Sequence, residues 1–153
     1  MSEPQGAAPI PPIAELLPHA HPMILVDRVS SFQPGRAVCE VVLRPDSPFV
    51  EEGQVRALVA IEYMAQSVAA YAGLRARTRG DAPSLGFLLG SRDLKLHVER
   101  LHAGDALRVE IEHVFGDDQL GSFKCQVQRG AEVVAEALLS VYQVSGKDGF
   151  TLP

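Results

Sequence analysis

Val55-Arg-Ala-Leu-Val-Ala-Ile-Glu-Tyr-Met-Ala-Gln-Ser-Val-Ala-Ala-Tyr-Ala-Gly-Leu-Arg-Ala76 is the stretch on which the fold turns. Leu58, Ile61, Ala65, Val68, Ala69 and Ala72 recur at helical spacing. Val59, Met64 and Tyr71 add apolar surface on the other sides. The alanines favour helix. A helix that is apolar nearly all round has to be wrapped by something. A membrane is a poor wrapper, because Glu62 and Gln66 lie near the middle of the run and an acid there costs about 2.5–3.5 kcal/mol. The remaining chain is rich in strand patterns, so the expected wrapper is a sheet.

Those strand patterns lie on both sides of the helix. Downstream, Leu107, Val109 and Ile111 alternate with Arg108, Glu110 and Glu112, and Phe123, Cys125 and Val127 alternate with Lys124, Gln126 and Gln128. Strict period two means a strand with one buried face. Gly116-Asp-Asp118 and Arg129-Gly-Ala131 supply turns, and Val133 to Val144 forms a long last strand. Leu85 to Leu89 is a short apolar strand, with Arg92 to His97 another strand or its continuation. Upstream, Met23 to Val29 and Arg36 to Leu43 read as two strands around a turn at Gln33-Pro-Gly35. Arg44 to Gln54, with Pro45, Asp46, Pro48 and Gly53, is loop chemistry. The expectation is an α+β domain, a long helix held against a curved antiparallel sheet of about six strands. Open sheet edges of this kind invite dimerisation.

Size and composition set the outer bounds. The 153 residues make one domain, placed at 13–144 between a disordered or extended lead-in (1–12, with four prolines) and a tail (145–153). Met1 to Pro12 has no basic start and no apolar run, so it is not a secretory signal. The net charge is −5 and basic residues are dispersed, which argues against nucleic acid as a partner. Arg75, Arg77 and Arg79 instead follow the helix, where cations suit the C-terminal end. Cys39 and Cys125 are too few for a disulfide scaffold and fall in strands, so they are expected as buried, inert thiols of a cytoplasmic protein.

Three features could carry chemistry. Glu62 is a carboxylate in an apolar helix, with Gln66 one turn later on the same side. Such an acid must be paired or protonated, and it suits proton transfer; it could equally serve only to bond Gln66 or a loop amide. In Leu17-Pro-His-Ala-His-Pro22, His19 and His21 would share a face if the segment is extended. Either could be a base, or a half metal site whose third ligand His97, His102 and His113 do not supply at ligand spacing; the prolines could also just fix a turn. The start of the long helix, at Val55, Arg56 and Ala57, would offer free amides to a carbonyl oxygen. Gly86-Phe-Leu-Leu-Gly90 lacks the Lys-Ser/Thr ending of a phosphate loop, and no Gly-x-Ser-x-Gly elbow occurs.

Two of these segments together resemble a known family. Leu17-Pro-His-Ala-His-Pro-Met-Ile-Leu-Val-Asp-Arg-Val29 resembles the LPHxxPxLLVDRV segment of the 3-hydroxyacyl-acyl carrier protein dehydratases, and Ile61-Glu-Tyr-Met-Ala-Gln66 resembles their IEAMAQ helix motif. The resemblance covers residues 13–144. It implies the hotdog fold, a helix wrapped by an antiparallel sheet and paired into a dimer that continues the sheet. One departure is plain. The family's catalytic histidine stands in GHFPG, and its position here is Pro48, followed by the matching Phe49; Glu51, Glu52, Arg56 and Ala57 also replace family residues. With Arg44-Pro-Asp-Ser-Pro-Phe49 and Gly86 to Gly90, the chain is most similar to the divergent dehydratases found with aryl-polyene-type pathways, which also lack that histidine.

The resemblance implies dehydration of 3-hydroxyacyl chains to trans-2-enoyl thioesters in a fatty-acid-like or aryl-polyene-type pathway. The substrate would ride on the phosphopantetheine of an acyl carrier protein, with no separate cofactor and no metal. Glu62 would be the acid, His19 the base with His21 second, Gln66 an orienting group, and the amides at Arg56 and Ala57 the oxyanion site. The partner subunit would be a second copy or a related dehydratase. Two other functions fit the same residues: a weak or inactive subunit that pairs with an ordinary dehydratase, and an acyl thioesterase.

Overall fold

The computed structural model describes residues 9–80, 85–117 and 119–144. The lead-in's first eight residues, Asp118 and the tail 145–153 lie outside the described residues. Eight strands and one long helix follow in order: β1 (Arg28–Gln33), β2 (Arg36–Val42), β3 (Gln54–Arg56), α1 (Ala60–Thr78), β4 (Leu85–Leu96), β5 (Arg100–His102), β6 (Ala106–Gly116), β7 (Leu120–Arg129) and β8 (Glu132–Val144). Six of the strands form one antiparallel sheet in the order β1-β2-β6-β7-β8-β4, and β3 and β5 form a separate pair. The sheet carries α1 on its inner face, which is the hotdog arrangement and bears out the α+β expectation.

The core forms where the two periodicities meet. Leu107, Val109 and Ile111 of β6 and Phe123, Cys125 and Val127 of β7 all point inward. They pack with Tyr63, Met64, Val68, Tyr71 and Leu74 of α1. Eleven residues of α1 are buried, so the helix is a core helix although the helical run Ala57–Thr78 is long and apolar enough to cross a membrane; 67% of its apolar 18-residue window lies inside the fold. The outward positions of the sheet carry paired charge, as in Arg36–Glu110 and Arg108–Glu110 at 3.4 and 3.0 Å. Arg75 and Arg77 sit in the last helical turn, and Arg77 also reaches Glu15 at 3.2 Å.

The boundaries differ from the sequence expectation in three places. The helix begins at Ala60, not Val55, because Val55 pairs with Leu101 in β3–β5 and Ala57–Val59 make a short 3-10 turn. Leu85–Leu89 and Arg92–Leu96 are one strand, β4, the continuation that the sequence allowed, ending one residue before His97; its register slips between Leu88 and Gly90 and between Arg92 and Lys95. Asp93 lies in the second slip with φ of 52°, so the interruption read from sequence is a bulge. Finally, β1 begins only at Arg28. Residues 23–26 form no strand, because their backbone is bonded by a side chain of α1.

Candidate active site

That side chain is Gln66, which is fully buried. Its Oε1 accepts the backbone N–H of Leu25 at 2.8 Å and of Val26 at 3.4 Å. Its Nε2 donates to the Met23 carbonyl at 2.7 Å and to Glu62 Oε1 at 3.1 Å. A buried primary amide offers two donors and one acceptor oxygen, and here all are engaged. Gln66 therefore does two jobs. It stitches the segment after His21 onto the helix, and it holds one oxygen of Glu62.

The same oxygen lies 3.8 Å from His19 Nε2. The Glu62 side chain is 38% exposed and that of His19 31%, so neither is the deeply buried group that the apolar helix suggested. Both face a cavity of about 160 Å³ lined by Ala65, Ala69 and Ala72 of α1 and by Gly86 and Leu88 of β4. Helical spacing explains the wall: Glu62, Ala65, Ala69 and Ala72 fall on one stripe, and alanine leaves room beside it. His19 Nδ1 is buried and has no hydrogen-bond partner among the described residues. His19 is placed there by Leu16 and Leu17, which are buried against the helix. The contact is close at Gly73: a Cβ there would lie 2.6 Å from the Leu16 carbonyl oxygen, so only glycine admits this approach.

The structure separates the other candidates. His21 is exposed and does not line the cavity, because Ala20–Met23 is a turn closed by Met23 N–H to the Ala20 carbonyl at 2.9 Å. The expectation of two histidines on one face fails with the extended geometry it assumed. The oxyanion expectation at Arg56 and Ala57 also needs correction. Arg56 pairs with Arg100 in β3–β5, and the Ala57 N–H donates to the Glu99 carbonyl at 3.1 Å. Neither residue is at the N-terminus of α1. His97 pairs with Glu136 at 3.1 Å and His113 stacks on Phe123 with ring centroids 4.9 Å apart.

Phe49, beside Pro48, does not share the cavity of Glu62. Phe49, half exposed with φ of 70°, lines a separate open cavity with Arg56, Val59 and Arg100. The cysteines are free and buried. Burial pushes the Cys39 thiol up to about 11 against a bond from Ser67 that pulls the other way, and burial raises Cys125 as well. Neither is poised as a nucleophile.

The residues that sequence reasoning missed are those of the cavity wall. In the sequence, Ala65, Ala69 and Ala72 read as part of the apolar helical stripe, and Gly86 and Leu88 as strand and as part of the family resemblance, none of them as cavity wall. The three alanines did carry a signal, small size on the stripe of Glu62.

Comparison with known proteins agrees with this fold. Residues 11–151 match the family model of the ApeP-like proteins, described as ApeP dehydratase. A 3-hydroxyacyl-[acyl-carrier-protein] dehydratase FabZ of Symbiobacterium thermophilum is 32% identical over 131 residues, 82% of this chain and 89% of that protein. Among solved structures, the dehydratase heterocomplex ApeI:P from Xenorhabdus doucetiae aligns with a TM-score of 0.84 and 30% identity, covering 89% of this chain and 93% of that one. A hypothetical thioesterase from Streptococcus pneumoniae shares the fold alone, with a TM-score of 0.58 and 14% identity over 77% of this chain and 85% of that one. The sequence motifs, the wrapped helix and the match along almost the whole chain lead to one conclusion: this chain belongs to the ApeP-like dehydratase family.

Proposed function

We propose that the chain takes part in dehydrating a 3-hydroxyacyl chain carried on the phosphopantetheine of an acyl carrier protein, in the cytoplasm, within an aryl-polyene-type or fatty-acid-like pathway. The observation that carries this is the Glu62 carboxyl group. It is held by Gln66, faces His19 and opens onto a slot lined by small residues. The carrier follows from the likeness to the acyl-carrier-protein dehydratase of Symbiobacterium thermophilum, and the pathway from the family.

The elimination is redox-neutral and needs one base and one acid. His19 Nε2 accepts the proton from the carbon alpha to the thioester. The electron pair of that C–H bond becomes the new double bond, and the C–O bond at carbon 3 breaks as protonated Glu62 delivers its proton to the leaving hydroxyl. Water departs. The proton on His19 then returns to Glu62 across the short gap between them, through the expelled water. Gln66 fixes Glu62 and so acts as a positioning residue.

A second reading is favoured by Pro48 and by the family's solved heterocomplex. In it, the chain pairs with a related dehydratase that carries the GHFPG histidine, and Glu62 serves as acid across the interface. The exposed edge strand β4, with Leu88 and Leu89 about half exposed and Leu88 and Gly86 lining the slot, is the surface that such a partner would extend. A second copy of this chain could use the same edge.

Turnover of a carrier-bound 3-hydroxyacyl substrate separates these readings. The chain is assayed alone and with a GHFPG-bearing dehydratase from the same organism, beside His19→Ala and His21→Ala. If His19 is the base, the chain alone turns over, His19→Ala loses activity and His21→Ala keeps it. Turnover only in the mixture, indifferent to His19, would move the base to the partner. No turnover in either would contradict both readings.

A further inference from the structure

A second, smaller cavity of about 20 Å³ lies beyond the first. The two share Ala72, Val141 and Gln143 as wall residues, so the slot that begins at Glu62 ends against this chamber. Ten residues of helix separate Glu62 from Ala72, about 15 Å at helical rise. The first chamber is lined mainly by small and apolar groups, whereas the second is polar, with Arg75, His113 and Asp117 in its wall. Its volume is enough for one water-sized group and no more.

The polar atoms of that wall differ in what they bond. The Tyr71 hydroxyl accepts the Gly35 N–H at 2.8 Å. Asp117 Oδ1 accepts the N–H groups of Gln119 and Leu120 at 2.8 and 2.9 Å. His113 Nε2 is buried and bonded to nothing among the described residues. Its ring is held by stacking on Phe123. The space in front of Nε2 depends on Gly121, where an added Cβ would lie 3.0 Å from that nitrogen. A buried ring nitrogen without a partner is costly unless something bonds it.

The geometry points to a terminal-group subsite: His113 Nε2 hydrogen-bonds a hydroxyl at the far end of the acyl chain whose reacting end lies between His19 and Glu62. A hydroxyl fits where a ring or a branched group does not. It can donate to or accept from the imidazole, so either tautomer serves. A carboxylate is larger than the one water-sized group that the chamber admits. His113 is thus a specificity residue, remote from the reacting atoms. The inference rests on the first cavity being the acyl-chain site.

Equilibrium binding tests it without requiring turnover. The probes are pantetheine amides of three equal-length acyl chains ending in methyl, hydroxyl or carboxylate. They are titrated into the full chain, with its partner subunit where one is needed for activity. The hydroxyl probe should bind about tenfold more tightly than the methyl probe, the worth of one satisfied buried hydrogen bond. His113→Phe keeps the stacking and should erase the difference while leaving the methyl probe's affinity unchanged. Gly121→Ala fills the chamber and should erase it too, which covers the case in which His113→Phe does not fold. Equal binding of methyl and hydroxyl probes, a preference for the carboxylate, or a hydroxyl preference that survives both variants would overturn the subsite alone. Failure of all three probes to bind would overturn the acyl-chain reading together with it.

Discussion

Gln66 spends all of its hydrogen-bonding capacity on three backbone groups and one carboxylate. Gln66→Leu would leave the Leu25 and Val26 N–H groups and the Met23 carbonyl without their partner. We expect a loss of about 2–4 kcal/mol in chemical denaturation, together with lowered turnover. A variant of wild-type stability would show that residues 23–26 are held by something else. Glu62 itself was legible in the sequence, since an acid on an apolar stripe demands explanation. The partner of Glu62 was legible too, from the four-residue spacing. What the spacing could not reveal was the other role of Gln66, as a stand-in for a strand neighbour. That contact joins residues 41 positions apart, and no local pattern records it.

At the scale of elements, period-two alternation located β6 and β7 and the helical stripe located α1. The short pair β3–β5 escaped, because three residues are too few to show a period. With it escaped the true start of α1, and so the fate of Arg56 and Ala57. β1 was misplaced for a related reason: Met23 to Val26 has strand composition, yet its backbone partner is a side chain. The segment bearing His19 is seated through the close approach at Gly73. Gly73→Ala forces a carbonyl and a methyl into the same space, and should destabilise the fold by about 1–3 kcal/mol. It should also lower activity by moving His19, measured as a fall in kcat at fixed folding. Stability and kcat both at wild-type level would mean that the segment is free to shift.

The whole molecule shows its titration behaviour in the core. Cys39, with an ordinary value of 9.0, is pushed up to about 11, and Tyr63, from 10.0, to about 12, in both cases chiefly by burial. The folded state therefore keeps these protons when the unfolded chain has begun to release them. Their contribution is fully present below about pH 9, falls as pH rises past the unfolded values, and is lost through the folded ones. Melting temperature should be flat from neutrality to about pH 9 and decline above it, and Cys39→Ala should lessen that decline. An equal decline in the variant would assign the alkaline loss elsewhere. At the same scale, β4 is an edge with a half-exposed apolar face. Leu88→Lys with Leu89→Lys should abolish pairing, whichever subunit is the partner, in sedimentation of the purified complex. Persistence of the complex would move the interface to another edge. Pairing was an expectation from the open edge and from the family resemblance; which partner takes the edge is a matter of two surfaces, and one chain holds only one of them.

The central claim is that Glu62 is the acid of a dehydration. Its most direct test is turnover of a carrier-bound 3-hydroxyacyl thioester by Glu62→Gln, in the assembly in which the wild type is active. The amide keeps the shape and can still bond to Gln66, but it has no proton to give to a leaving hydroxyl. Turnover lost by about 10²-fold or more, with an unchanged melting temperature, is the expected result. Turnover near the wild-type rate would contradict the account, and would leave Glu62 as a structural partner of Gln66.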